Sequence, residues 1–174
     1  MKIYKTNFHG LIKIIGQNHY DKRGYFRELY KNKIFKNKVF KFWCISKSIK
    51  NVVRGLHIQR KVEQDILVSV IKGKIFDVAL DLRKKSNSYG RHSCNILSDK
   101  NSTSLFIPAG FAHGFCSLEK ENLILYGLTN LRSETDEDGI IWNDKNLNIK
   151  WPIKNPILSK KDKKNVSFNN FVKK

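Results

Sequence analysis

An all-β fold is the class this sequence predicts, and three observations carry the prediction. Apolar and β-branched residues come in runs too short for helices, such as "TSLFIP" (103–108) and "AHGFCSL" (112–118). "DILVSVIKGKIFDVALDL" (65–82) reads as two apolar strands joined through a "KGK" turn. Helical patterning is confined to a few short stretches. At 174 residues, with no internal repeat and no low-complexity linker, the chain is expected to be one domain, residues 1–174, able to bury its own core. Many short strands with turn signals point to a sandwich, barrel or jelly roll.

The elements follow in chain order. "YFRELYKNKIF" (25–35) has the spacing of a short helix, and "FKFWCISKSI" (40–49) ends in the alternation of a strand. "NVVRGLHIQ" (51–59) is strand-like yet carries Arg54, Gly55 and His57. Positions i and i+3 of a strand face opposite sides, so the glycine must bend the chain if Arg54 and His57 are to line one pocket. Taken singly, the pair reads as a surface arginine and a hydrogen-bonded core histidine. Beyond the strands of 65–82 come 103–108, 112–118 and "NLILYGLTNL" (122–131), and "SKKDKK" (159–164) suggests a helical turn.

Composition narrows the function classes. Lysine and arginine total 34 against 15 acidic residues, a formal charge of +19 that attracts phosphates. The lysines are spread along the whole chain, however, and no RNP sequence or zinc finger appears, so no nucleic-acid partner is expected. A phosphate-bearing small substrate is the better use of selected arginines. Cys44, Cys94 and Cys116 are odd in number and scattered, which fits a reducing compartment and a cytoplasmic location. The apolar residues of "MKIYKTNFHGLIKIIGQ" are interrupted by His9 and Lys13, so neither a secretory leader nor a membrane span is expected there.

Several polar residues sit inside apolar runs: Asp77 and Asp81 in "IFDVALDLR", His113 in "IPAGFAHGF", Tyr126 in "LILYGLT". Burying such groups is costly unless they are paired. Together they predict a barrel interior equipped with acids, bases and cations, as a reaction pocket requires. Gln59 stands two positions after His57, where metal-binding jelly rolls carry a second imidazole, and His57, Glu63 and His113 have unremarkable spacing; no metal is expected.

Seven ordered blocks, "DKRGYFRELY", "SKSIKNVVRGLHIQ", "GKIFDVALDLRKKSNSYG", "LFIPAGFAHGF", "LILYGLTN", "GIIWNDKNLNIKWP" and "LSKKD", resemble the signature of the dTDP-4-dehydrorhamnose 3,5-epimerases. The likeness runs from about residue 20 to 162. It implies a cupin-type jelly roll with a few short peripheral helices. It also implies a homodimer that needs no metal or organic cofactor, with an N-terminal arm of about residues 1–40 taking part in dimerisation. The implied reaction inverts C3 and C5 of a nucleotide-linked 4-keto deoxysugar through an enolate, as in surface-polysaccharide sugar biosynthesis. His57 matches the family base, Asp162 the carboxylate that orients it, and Tyr126 the acid on the other face. Arg23 and Arg54 match diphosphate-holding positions, and Phe26 and Glu28 lie near the nucleotide end in a segment the family supplies across protomers. Asp81 and His113 match sugar-facing or supporting positions. Gln59 of the RGLHIQ block and Arg132 complete the expected substrate contacts.

The departures are specific. Ile66 stands where the family has a lysine suited to an enolate oxygen, Arg132 replaces a second tyrosine, and Phe42 and Cys44 replace a glutamine and an asparagine at the base and ribose end. They keep other readings open: a C3-only epimerase or ketoisomerase-like relative on a different nucleotide sugar, such as a GDP-4-keto-heptose, and a cupin that binds a sugar nucleotide without turnover.

Overall fold

A computed structural model describes residues 1–35 and 38–173 of the chain. Among the described residues thirteen strands are formed in order: β1 (Lys2–Lys5), β2 (Ile12–Ile15), β3 (Asn18–Asp21), β4 (Gly24–Arg27), β5 (Phe42–Ile49), β6 (Val53–Gln59), β7 (Ile66–Lys72), β8 (Lys74–Asp81), β9 (His92–Ser98), β10 (Thr103–Ile107), β11 (Phe111–Ser117), β12 (Glu121–Leu128) and β13 (Glu137–Gly139). Short 3-10 turns occupy Asn32–Ile34 and Asp162–Lys164, and one helix, α1 (Phe168–Lys173), closes the described chain. Two antiparallel sheets face each other, one ordered β1-β2-β10-β7-β12-β5 and the other β13-β6-β11-β8-β9. Strands β3 and β4 form a separate hairpin. This is the jelly roll the sequence predicts, and among the described residues no helix is long and apolar enough to cross a membrane.

The core lies in three layers. Between the sheets, Val68, Val70, Leu105, Ile107 and Ile124 of the six-stranded sheet meet Ile75, Ala79, Leu97, Phe111 and Phe115 of the five-stranded one. Outside the five-stranded sheet, Leu56, Val78, Leu80 and Ala112 are covered by Ile140, Leu147, Ile149 and Phe171. Burial on both faces explains why "IFDVALDL" and "AHGFC" read as continuous apolar runs rather than alternating ones. Outside the six-stranded sheet, Phe35 packs on Ile14, Leu67 and Phe106, and Tyr30, Ile34 and Phe40 join it in covering that face.

The helix expected over 25–35 is not formed. Tyr25 and Phe26 lie in β4, paired with Tyr20 and His19 of β3. Asp21 Oδ1 accepts the Arg23 backbone N–H at 2.8 Å, an Asx turn that closes the hairpin before helical hydrogen bonding begins. The remaining residues supply the 3-10 turn that carries Phe35 into its pocket. Strands β1, β2, β3, β9 and β13 and helix α1 have no counterpart among the sequence expectations. "HSCNILS" lacks a clean alternation because its exposed and buried positions mix small and polar residues.

At the end of β8, Asp81 is fully buried and its carboxylate is fully occupied. Arg83 donates to it through the backbone N (3.0 Å), Nε (2.8 Å) and Nη2 (2.6 Å), and the Ser86 and Ser88 hydroxyls each donate at 2.6 Å. Burial opposes the charge, but these donors outweigh it and hold the carboxyl at about 2. The folded state therefore favours the ionised form. That contribution is fully present above the ordinary carboxylate range near about 4, and it is lost as pH falls through about 2. Asp81→Ala is expected to lower stability by about 3 kcal/mol at neutral pH, measured by urea unfolding, with the difference from the parent shrinking between those two pH values.

Candidate active site

The site begins with a mismatch in strand pairing. His57 pairs with His113 and Arg54 with Phe115, so Gly55 and Leu56 of β6 together oppose the single residue Gly114 of β11. This is a β-bulge, and its extra residue resets the alternation of side chains. Arg54 and His57, which a regular strand would place on opposite faces, both line one cavity, while Leu56 is thrown into the outer core. Gly55 has φ +111°, and a Cβ there would lie 2.6 Å from both Gly114 Cα and His113 O. A Cβ on Gly114 would in turn lie 2.7 Å from Arg54 O. Only two glycines let the strands approach this closely.

The cavity holds about 390 Å³ between the two sheets, within the usual range for a small-molecule site. On the five-stranded side, His57 Nε2 lies 2.6 Å from Asp162 Oδ1. Asp162 is delivered by the 3-10 turn of 162–164, where its Oδ2 accepts the Ser159 hydroxyl at 2.7 Å and its Oδ1 the Gly55 N–H at 3.3 Å. Burial works against the Asp162 charge, but the donors from His57, Ser159 and Gly55 prevail and hold its carboxyl below the usual range. An ionised carboxylate can only accept, so His57 Nε2 carries the proton and Nδ1 keeps the free lone pair. Asp162 thus fixes both the ring's orientation and its tautomer.

From the six-stranded side comes Tyr126 of β12, whose hydroxyl lies 3.1 Å from Ser46 Oγ. Burial pushes its phenol up, well above the ordinary range, so it stands in the cavity as a neutral O–H donor. The His113 ring meets the Tyr126 ring edge-on at 6.4 Å, and His113 Nε2 is held 2.6 Å from the fully buried Asp77 Oδ2. Arg54 is steadied by Ser48 Oγ on Nε and by the Lys47 carbonyl on Nη2, both at 3.1 Å. An imidazole lone pair and a phenol proton therefore reach one space from opposite sheets. Such an arrangement can remove a proton from one face of a bound carbon and return one to the other.

Of the residues expected at the site, His57, Tyr126, Asp162, Arg54, Gln59, His113 and Arg132 line this cavity. Asp81 does not: it shares the inward parity of Asp77, but at the end of β8 the following loop folds over it and consumes both oxygens. Arg23, Phe26 and Glu28 are also elsewhere in this chain. Arg23 is exposed and paired with Asp21 at 2.6 Å, Glu28 is paired with Lys31 at 2.6 Å, and Phe26 is 67% exposed on the β3–β4 hairpin. Sequence reasoning missed Glu137, Lys161, Ser159 and Ser46. Lys161 and Ser159 flank Asp162 in "LSKKD" and so were findable by proximity, whereas nothing in "ETDEDG" distinguishes Glu137 from its acidic neighbours. Phe42, Cys44 and Ile66, the positions of departure, all face the cavity.

A jelly roll with a carboxylate-held imidazole and a buried phenol converging in its barrel is a cupin-type fold whose cavity has the groups that proton transfer would need. A family model described as dTDP-4-dehydrorhamnose 3,5-epimerase matches residues 5–170. The chain is 41% identical over 169 residues to the dTDP-4-dehydrorhamnose 3,5-epimerase of Methanothermobacter thermautotrophicus, covering 93% of this chain and 91% of that protein. A crystal structure of the epimerase from Bacillus anthracis with TDP and pyrophosphate bound superposes with a TM-score of 0.91 at 36% identity, covering 96% of this chain and 99% of the other. That of the Legionella pneumophila epimerase in complex with dTDP-4-keto-L-rhamnose gives 0.92 at 35% identity, covering 97% and 93%. The chain belongs to the dTDP-4-dehydrorhamnose 3,5-epimerase family and is a sugar-nucleotide epimerase, an isomerase.

Because the bulge places both Arg54 and His57, Gly55→Ala is expected to cost about 2 kcal/mol or more in urea unfolding. It should also lower activity at least tenfold even where the protein remains folded, since the added methyl forces β6 away from β11.

Proposed function

We propose that His57 Nδ1 takes the proton from a carbon beside the C4 ketone of a nucleotide-linked sugar, and that Tyr126 returns a proton to the opposite face. The C–H bond breaks as Nδ1–H forms, and the electron pair moves onto the ketone oxygen as an enolate. Tyr126 O–H then protonates the carbon from the six-stranded side as the C4 carbonyl re-forms; the phenolate regains a proton from solvent and the His57 imidazolium gives its proton up to solvent, which restores both groups. Asp162 stabilises the imidazolium formed in the first step. The same cycle at the second carbon completes the 3,5-inversion. The observation that carries this reading is the bulge at Gly55, which aims Arg54 and His57 into one cavity facing Tyr126.

Arg54 grips the diphosphate, a planar fork against phosphate oxygens. The ligands named for the Bacillus anthracis and Legionella pneumophila structures, TDP and dTDP-4-keto-L-rhamnose, support a nucleotide sugar as the substrate here. Arg23, Phe26 and Glu28 act from a second protomer, with the N-terminal arm of about residues 1–40, whose residues 36–37 lie outside the described ones, joining a single-domain chain to its copy. Support comes from the exposed Tyr20 and Phe26 of the hairpin and from β5, a sheet-edge strand presenting Trp43, Ile45 and Ile49 to solvent. Three free cysteines support a cytoplasmic setting.

In deuterated water, the protein should wash solvent deuterium into C3 and C5 of dTDP-4-keto-6-deoxyglucose; incorporation at C3 alone would instead make it a 3-epimerase. His57→Ala should slow exchange at every position by about 10²–10⁴-fold. Tyr126→Phe should impair inversion more than exchange, because a proton held by His57 can still return to the face it left. Exchange undiminished in His57→Ala would show the base to be another group.

The nucleotide is checked by thermal denaturation with dTDP, GDP, UDP and CDP. A bound diphosphate at a hundred times its dissociation constant should add about 2.7 kcal/mol of stability. Absence of any shift across the four would overturn the sugar-nucleotide reading.

A further inference from the structure

A second carboxylate faces the catalytic imidazole. Glu137 Oε1 lies 3.6 Å from His57 Nδ1, the nitrogen left free by the Asp162 contact. That separation is too long for a hydrogen bond and short enough for a strong charge interaction, so space remains for a proton on Nδ1. Glu137 is nearly buried, with an 8% exposed side chain, and two cations hold it: Arg132 Nε donates to Oε2 at 2.7 Å and Lys161 Nζ lies 2.9 Å from Oε1. Burial opposes the Glu137 charge, but these two donors and the nearby imidazole keep the carboxyl below its usual range. The carboxylate is thus held ionised beside His57 Nδ1, with Arg132 on its far oxygen and Lys161 on the oxygen that faces the imidazole.

We propose that Glu137, held by Arg132 and Lys161, is a positioning residue that sets how readily His57 takes up and gives back its proton. This rests on the reading of His57 as the base. With Nδ1 empty, the carboxylate and the lone pair repel; with Nδ1 protonated, the same carboxylate faces an N–H and stabilises the imidazolium. Glu137 therefore strengthens the base. Arg132 and Lys161 act in the opposite direction, so that the imidazole is not trapped in its charged form. The other charged and titratable groups around the cluster include Asp162 on the 162–164 turn, Arg54 on the strand of His57, the His113–Asp77 pair of β11 and β8, Tyr126 of β12, Cys44 of β5, and Glu134, which pairs with Arg132 at 3.4 Å. None of these is hydrogen-bonded to Glu137 among the described residues, so the three-residue cluster can be altered while the Asp162 contact stays in place. Arg132 stands where the resemblance gives a tyrosine and lies on the rim of the same cavity, which makes it the residue by which this chain adjusts the balance.

The test follows the His57 imidazole by NMR titration of the free protein, its signal assigned with His57→Gln, alongside the pH dependence of kcat/KM for exchange. Glu137→Gln should move the His57 titration down by about one pH unit, and the acid limb of kcat/KM should follow it while the plateau kcat falls. Arg132→Gln and Lys161→Gln should each move both upward, and Glu137→Asp, which keeps the charge, should lie close to the parent. Unchanged titration in Glu137→Gln, or shifts in the same direction for all three charge-removing variants, would overturn the proposal. A parent protein that exchanges no proton at any pH would defeat the epimerase reading of the site instead, and the titration would still decide the role of Glu137.

Discussion

The contact between Gly55 and Gly114 is the constraint on which the rest of the site depends. Two strands meet there without side chains, and the register between them slips by one residue. Upstream of the slip, Arg54 points into the barrel; downstream, His57 does so as well, opposite His113 on one neighbour and Gly139 on the other. Leu56, between them, joins Ile140 and Leu147 in the outer core. One inserted residue thus builds the functional wall and anchors the covering segment that brings β13, and with it Glu137, against β6. The carboxylate of Asp162 also accepts the Gly55 N–H, which ties the turn at 162–164 to the same point of irregularity.

Charge in the cavity is organised as pairs rather than as isolated groups. Asp162 holds His57, Asp77 holds His113, and Glu137 is held between Arg132 and Lys161. Each carboxylate would be expensive to bury alone, and each is met by a ring nitrogen or a cation. Tyr126 is the exception. Its depth in the barrel raises the cost of a phenolate, so it stands in the cavity as a neutral donor. An imidazole held by a carboxylate on one sheet and a buried neutral phenol on the other give the two sides of the cavity unequal environments.

The surface is divided as well. The β3–β4 hairpin carries Arg23, Phe26 and Glu28 away from the chain's own cavity, and the open edge at β5 presents alternate apolar side chains. The lining of the cavity, by contrast, includes the apolar Phe42, Ile66 and Leu128 as well as the charged Arg132, Glu137 and Lys161. Phe42, Cys44, Ile66 and Arg132 thus share one lining with the His57–Asp162 pair.

The linear sequence determined the β class, the two long strands around Gly73, and the candidacy of His57, Tyr126, Asp77 and His113, because strand periodicity and polar residues inside apolar runs are local signals. The ordered blocks around "RGLH" and "LSKKD" determined the family, and with it the pairing of residues 105 positions apart. Other matters were decided only by tertiary structure. The segment at 25–35 has helical spacing, yet the Asx turn at Asp21 and the pocket awaiting Phe35 made it a hairpin strand and a 3-10 turn. Asp81 has the same inward parity as Asp77, yet a loop of serines and Arg83 closes over it. Glu137 is one acid among several in "ETDEDG", and only the pairing of β13 with β6 sets it against the imidazole. The physical reason is common to all three: periodicity reports which face a residue occupies, but not which distant hydrogen-bond donors or strands will arrive to meet it there.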